Sequence, residues 1–102
     1  MAEISIGKAD LKPGEQKCVS AGGQKLALCN IGGKYYAVSN ECTHAGGPMC
    51  EGLLDAEGAS ITCPWHGSVF DARDGKVLNG PATAPLKACK VRESNGELFV
   101  RV

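Results

Sequence analysis

The chain is expected to fold as one small all-β domain carrying an irregular insertion. Glycine occurs 14 times in 102 residues, which argues for frequent turns and close backbone approaches rather than long helices. Short runs of Val, Ile, Leu and Ala lie between these breaks, and no segment joins helical periodicity to sufficient length. The length is that of one domain. Its only aromatic residues are Phe70, Phe99, Tyr35, Tyr36 and Trp65, so the core must rest on aliphatic side chains.

A first strand is expected over Ala2–Gly7, followed by a turn at Lys12-Pro-Gly-Glu15. Gln16–Ser20 reads as a short strand closed by Gly22-Gly23. Lys25–Ile31 and Tyr35–Ser39 flank Gly32-Gly33-Lys34 and form a strand pair. Residues 40–58 lose periodicity and gain Gly, Pro and acids. Ser60–Cys63 and Ser68–Asp71 are short strands. Arg73-Asp-Gly-Lys76 is a turn, and residues 77–85 form a loop containing Gly80-Pro81. Leu86–Arg92 and Glu97–Val102 flank Glu93-Ser-Asn-Gly96, whose Asn-Gly suits a tight hairpin. The insertion spans about 41–75.

Charge is balanced overall but not locally. The insertion carries Glu41, Glu51, Asp55, Glu57, Asp71 and Asp74 against Arg73 alone, and the segments on either side are basic. This acidic block is either a solvated, turn-rich surface or a docking face for a basic partner. A balanced charge without clustered Lys and Arg argues against nucleic acid. Met-Ala-Glu-Ile-Ser-Ile-Gly lacks a basic region followed by an apolar stretch, and no apolar run approaches a membrane span. The expectation is a soluble cytoplasmic protein without a membrane partner. In that setting a disulfide framework from the six cysteines is disfavoured. Cys18, Cys29 and Cys89 read as small hydrophobes in strands, while Cys50 stands in a loop without an assigned role.

The chemistry concentrates in Cys42-Thr-His44 and Cys63-Pro-Trp-His66. These Cys/His pairs are separated by 18 residues and use both histidines of the chain. Either motif alone has a high false-positive rate. Together, each framed by Gly or Pro, they point to metal. Two thiolates and two imidazoles can surround one zinc ion or divide between the two irons of a [2Fe–2S] cluster. A zinc finger would place its two cysteines close together and then its two histidines. Here each loop supplies one of each, which favours iron–sulfur and leaves a zinc-stabilised protein-binding module as the rival.

Cys42-Thr-His44-Ala-Gly-Gly and Cys63-Pro-Trp-His66-Gly-Ser68-Val-Phe-Asp71 resemble the two cluster-binding loops of Rieske proteins. Gly33-Lys-Tyr-Tyr-Ala-Val38, Asp71, Gly75 and Gly80-Pro81 extend that resemblance over nearly the whole chain. The type it is most similar to is the soluble Rieske ferredoxin of bacterial ring-hydroxylating oxygenases. The resemblance implies a Rieske fold over residues 1–102, with three antiparallel sheets and a cluster-binding subdomain at about 41–75. It implies one [2Fe–2S] cluster, with Cys42 and Cys63 on one iron and His44 and His66 on the other through Nδ1. It implies no catalysis by the chain itself, only single-electron transfer from a flavin-containing NAD(P)H-dependent reductase to a terminal oxygenase. A Rieske-like small subunit of an assimilatory nitrite reductase is the alternative within the same resemblance.

Respiratory Rieske subunits carry an additional cysteine in each loop, joined as a disulfide. Gly47 and Trp65 stand at those positions here, so that bridge cannot form. Ser68 matches a serine that donates to the cluster in that branch, whereas Phe70 replaces a tyrosine. The resemblance is therefore to the lower-potential branch.

Overall fold

The computed structural model describes residues 3–44 and 46–101. Ala2, Ala45 and Val102, on which parts of the expected first strand, first motif and last strand fall, lie outside the described residues. Among the described residues eleven strands form three antiparallel sheets. The first sheet has the order β1-β11-β10, from Glu3–Lys8, Glu97–Arg101 and Val91–Ser94. The second has the order β2-β3-β4-β9, from Gln16–Ala21, Gln24–Ile31, Lys34–Ser39 and Ala88–Cys89. The third has the order β5-β6-β7-β8, from Leu53–Asp55, Ser60–Thr62, Val69–Asp71 and Val77–Asn79.

The second sheet is the middle layer. Successive side chains of a strand point to opposite faces, and β3 is buried on both. Leu26 and Leu28 join Ala37, Cys89, Leu98 and Val100 in a core against the first sheet. Ala27 and Cys29 join Val38, Met49, Ile61 and Phe70 in a second core against the third sheet. Gly32 and Gly33 connect β3 to β4 with both residues at positive φ, the backbone that a two-residue hairpin turn requires. Asn30, buried between the layers, donates from Nδ2 to the Leu11 carbonyl at 2.7 Å and accepts the Gly33 N–H at 2.9 Å.

The structure corrects several expectations. The segment expected as one strand, Leu86–Arg92, divides between β9 of the middle sheet and β10 of the first sheet. The expected loop 77–85 begins with β8, whose residues pair with β7. Residues 40–58 hold β5 and a short 3₁₀ turn at Met49–Glu51. Strands of three residues leave too few positions for alternation to register.

Two of the leftover cysteines behave as expected. Cys29 and Cys89 are buried in the two cores, and burial pushes the Cys29 thiol up to about 12. Cys18 is not a buried hydrophobe: it is exposed on the edge strand β2 and forms a disulfide with Cys50 in the 3₁₀ turn. The alternation that aims Ala27 and Val38 at the third sheet also aims Cys18 there, because Cys18 pairs with Ala27 and Ala27 with Val38. A disulfide with this sequence separation of 32 stabilises a fold by about 3–4 kcal/mol in chain-entropy terms.

Candidate metal centre

The first motif loop runs from β4 of the middle sheet to the 3₁₀ turn, the second joins β6 to β7 of the third sheet, and the two close in the same way. The Cys42 N–H donates to the Gly47 carbonyl at 2.9 Å, and the Cys63 N–H donates to the Ser68 carbonyl at 2.8 Å. Each bond folds the intervening residues outward and roots a cysteine at the loop base. Both cysteines are buried, at 3% and 2% exposure, and belong to the core shared with Phe70. Their side chains interact: burial pushes the Cys63 thiol up, the Trp65 N–H bond opposes that rise, and the neighbouring Cys42 adds to it. The Trp65 N–H lies 3.4 Å from the Cys63 sulfur.

The histidines occupy the exposed part of the same loops. Their rings meet edge to face, with centroids 5.3 Å apart and an interplanar angle of 89°. His66 has a φ of 70°, followed by Gly67 at 76°. A side chain at positive φ is costly in the absence of local compensation. Here the backbone reverses immediately beside the imidazole and the chain returns to β7.

The four residues therefore form two pairs, a buried pair of cysteines and an exposed pair of imidazoles, with one of each on either loop. Among the described residues no three of His, Cys, Asp and Glu are grouped to hold a single ion. The donor set, two thiolates with a backbone N–H aimed at one sulfur and two accessible imidazoles, suits a [2Fe–2S] centre of mixed ligation.

Residues outside the two motifs also position the loops. The Thr43 hydroxyl donates to the Ala84 carbonyl at 2.6 Å. The Ala82 N–H donates to the buried Ser68 hydroxyl at 3.0 Å. The segment 80–85 thus straps both loops from one side. Ser68 is an acceptor in this contact, a role that its resemblance to a donating serine does not convey. Phe70, fully buried, sits in the core with both cysteines. Gly47 lies against Cys63 and Trp65, the latter half exposed. The sequence offers no spacing signal for the strap, because its partners are 41 and 14 residues away.

Residues 4–90 match the family model of the Rieske [2Fe-2S] domain. The 3-phenylpropionate/cinnamic acid dioxygenase ferredoxin subunit of Escherichia coli (strain K12) is 39% identical over 75 residues, covering 74% of this chain and 70% of that protein. The ferredoxin of carbazole 1,9a-dioxygenase from Nocardioides aromaticivorans IC177 superposes with a TM-score of 0.93 at 31% identity, over 98% of this chain and 97% of that one. A chain from a complex of reduced oxygenase and oxidized ferredoxin in carbazole 1,9a-dioxygenase superposes with a TM-score of 0.88 at 33% identity, over 96% of this chain and all (100%) of that one. Among the described residues no helix is long and apolar enough to cross a membrane.

Proposed function

This chain belongs to the Rieske [2Fe–2S] family, and on that premise we propose that it shuttles single electrons within a ring-hydroxylating dioxygenase system. The observation that carries this reading is the end-to-end likeness to a dioxygenase ferredoxin, with 98% of this chain superposed on 97% of that one. The chain is an electron-transfer component and not itself a catalyst. Its electrons come from a flavin-containing NAD(P)H-dependent reductase and pass to a terminal oxygenase. A solved complex of an oxygenase with a ferredoxin from a carbazole dioxygenase supports the second partner. The reductase follows from the need for a two-electron donor to be split into single-electron steps.

We assign Cys42 and Cys63 to one iron and His44 and His66 to the other. A [2Fe–2S] cluster held by these four residues would supply a one-electron redox couple. The chain supplies the rest. The buried cysteines keep water from the sulfur end. The Trp65 N–H offers a hydrogen bond to sulfur at 3.4 Å, which favours the more negative, reduced state. The exposed imidazoles give a partner close approach to the metal. The match of residues 4–90 to the Rieske [2Fe-2S] domain favours iron–sulfur over a single zinc ion.

The ligand assignment is tested by iron and acid-labile sulfide in H44A and H66A. Both should fall, with loss of the visible spectrum, and full retention would defeat it. The carrier role is tested by stopped-flow reduction with an NADH-driven flavoprotein reductase and reoxidation by the terminal oxygenase of a homologous dioxygenase. Loaded protein that neither partner oxidises or reduces would reject the proposed role.

A further inference from the structure

The Cys18–Cys50 disulfide lies outside the metal centre but is tied to one half of it. Cys50 belongs to the 3₁₀ turn that directly follows the first ligand loop. The chain enclosed by the bond, residues 18–50, contains Cys42 and His44 and excludes Cys63 and His66. The turn has other anchors. The Met49 N–H donates to the Asn40 carbonyl at 2.7 Å and the Cys50 N–H to the Asn40 side-chain oxygen at 2.8 Å. Gln16 donates from Nε2 to the Gly52 carbonyl at 2.5 Å, and Met49 is fully buried. Breaking the sulfur bond therefore leaves the turn seated but less firmly. The bond is also open to attack. Cys18 is exposed on an edge strand, and a groove of about 280 Å³ between Lys25, Asn40 and Pro48 is lined by both sulfur-bearing residues.

We propose that Cys18–Cys50 is a thiol–disulfide exchange site whose redox state sets how tightly the first ligand loop holds the cluster. The reductant is a dithiol. One of its thiolates attacks an accessible sulfur of the pair, a mixed disulfide forms, and the second thiol resolves it. The S–S bond of Cys18–Cys50 breaks and that of the former dithiol forms. Two electrons and two protons end on Cys18 and Cys50 as thiols. Reduction loosens residues 41–52 and leaves the second loop as it was. A disulfide-bonded chain retains its cluster, and a reduced chain releases it sooner.

This inference rests on the assignment of Cys42 and His44 as ligands, and that assignment has its own test in the H44A spectrum, which involves no reductant. The experiment uses the loaded full-length protein and its C18S/C50S variant, with dithiothreitol as the dithiol, removed before measurement. Alkylation after denaturation should label four cysteines before treatment and six after it, since four cysteines stand outside the disulfide. Visible bleaching in the presence of an iron chelator should be severalfold faster in the reduced protein. The variant should bleach at the reduced rate with or without dithiothreitol, which separates the disulfide from any action of dithiol on iron. Hydrogen exchange should rise in 41–52 and stay unchanged in 61–70. Six labelled cysteines before treatment, unchanged bleaching after reduction, or equal loosening of both loops would each overturn the proposal. Should the variant fail to fold, the treated wild-type protein alone decides.

Discussion

A β-carbon placed on Gly47 would lie 2.7 Å from the sulfur of Cys63, and 3.0 Å from Cγ of Trp65. The first loop therefore touches the second through a residue with no side chain. This is where the resemblance to respiratory Rieske subunits places their inter-loop disulfide. Here a glycine packs against an indole instead. The contact leaves no room for a side chain at Gly47 beside the Cys63 sulfur.

Gly47→Ala should lose most of its iron and acid-labile sulfide. Overpacking at a tight site costs about 1–3 kcal/mol, and here the group that must yield is a proposed ligand. The check is iron per chain together with the thermal midpoint. A variant that loads fully would show that Cys63 can move aside without losing its metal.

Ser68→Ala should destabilise the loaded fold by about 1–3 kcal/mol, the usual range for a buried donor left unpaired. The donor is the Ala82 N–H, which has the fully buried Ser68 hydroxyl as its acceptor at 3.0 Å. Thr43→Val removes the exposed anchor of the same strap, and its cost should be smaller, near 0.5–1.5 kcal/mol. Denaturant unfolding of both variants measures the difference. Equal costs would mean that burial does not distinguish the two anchors.

Asp71 accepts from the Arg73 backbone N–H at 2.8 Å and from its guanidinium at 3.1 and 2.9 Å. The guanidinium bond holds the carboxyl below its ordinary range. A depressed folded-state pKa adds stability above the unfolded value, near 3.9 for Asp, and that stability is lost as pH falls through the folded value. Half of Arg73 is exposed, so solvent screening keeps the contribution small. Between pH ~6 and pH ~3 the thermal midpoint of the wild-type protein should fall more steeply than that of Asp71→Asn. Parallel curves would show that the pair contributes nothing across this range.

The hairpins were legible because their chemistry is local. Gly32-Gly33 and Asn95-Gly96 carry the positive φ of their turns, and the flanking strands are long enough to alternate. Cys42, His44, Cys63 and His66 stood out as candidates, since Cys and His pairs at short spacing are uncommon, and the structure places the two cysteines in one core and the two rings edge to face. What escaped was set by distance along the chain. β5 and β8 have three residues each, and their strand character arises from neighbours in the sheet. The strap 80–85 acts through backbone groups, which any sequence supplies. Cys18 and Cys50 pair because strand alternation turns one towards a 3₁₀ turn that no periodicity announces.

Docking should depend on salt, through acids near the first loop. Glu41 and Glu51 are exposed; Glu41 precedes the first motif loop, and Glu51 ends the 3₁₀ turn that follows it. Asp55 belongs to the same acidic block but holds its own turn, where its carboxylate accepts the N–H groups of Glu57 and Gly58 at 3.1 and 3.4 Å. Its charge is directed into that turn. A basic partner approaching the exposed imidazoles would be steered by Glu41 and Glu51 more than by Asp55. Stopped-flow transfer at limiting protein should slow as ionic strength rises from about 0.01 M to about 1 M, where the Debye length shrinks from about 30 Å to about 3 Å. The E41Q/E51Q protein should be slower at low salt and show a shallower dependence, while D55N should retain the wild-type slope. All comparisons need equal cluster loading, because Glu51 also lines the groove beside the disulfide. If E41Q/E51Q matches the wild-type rate at low salt, the acids lie off the encounter path. Apolar contact through half-exposed Trp65 and exposed Pro81 would then be the simpler basis of docking.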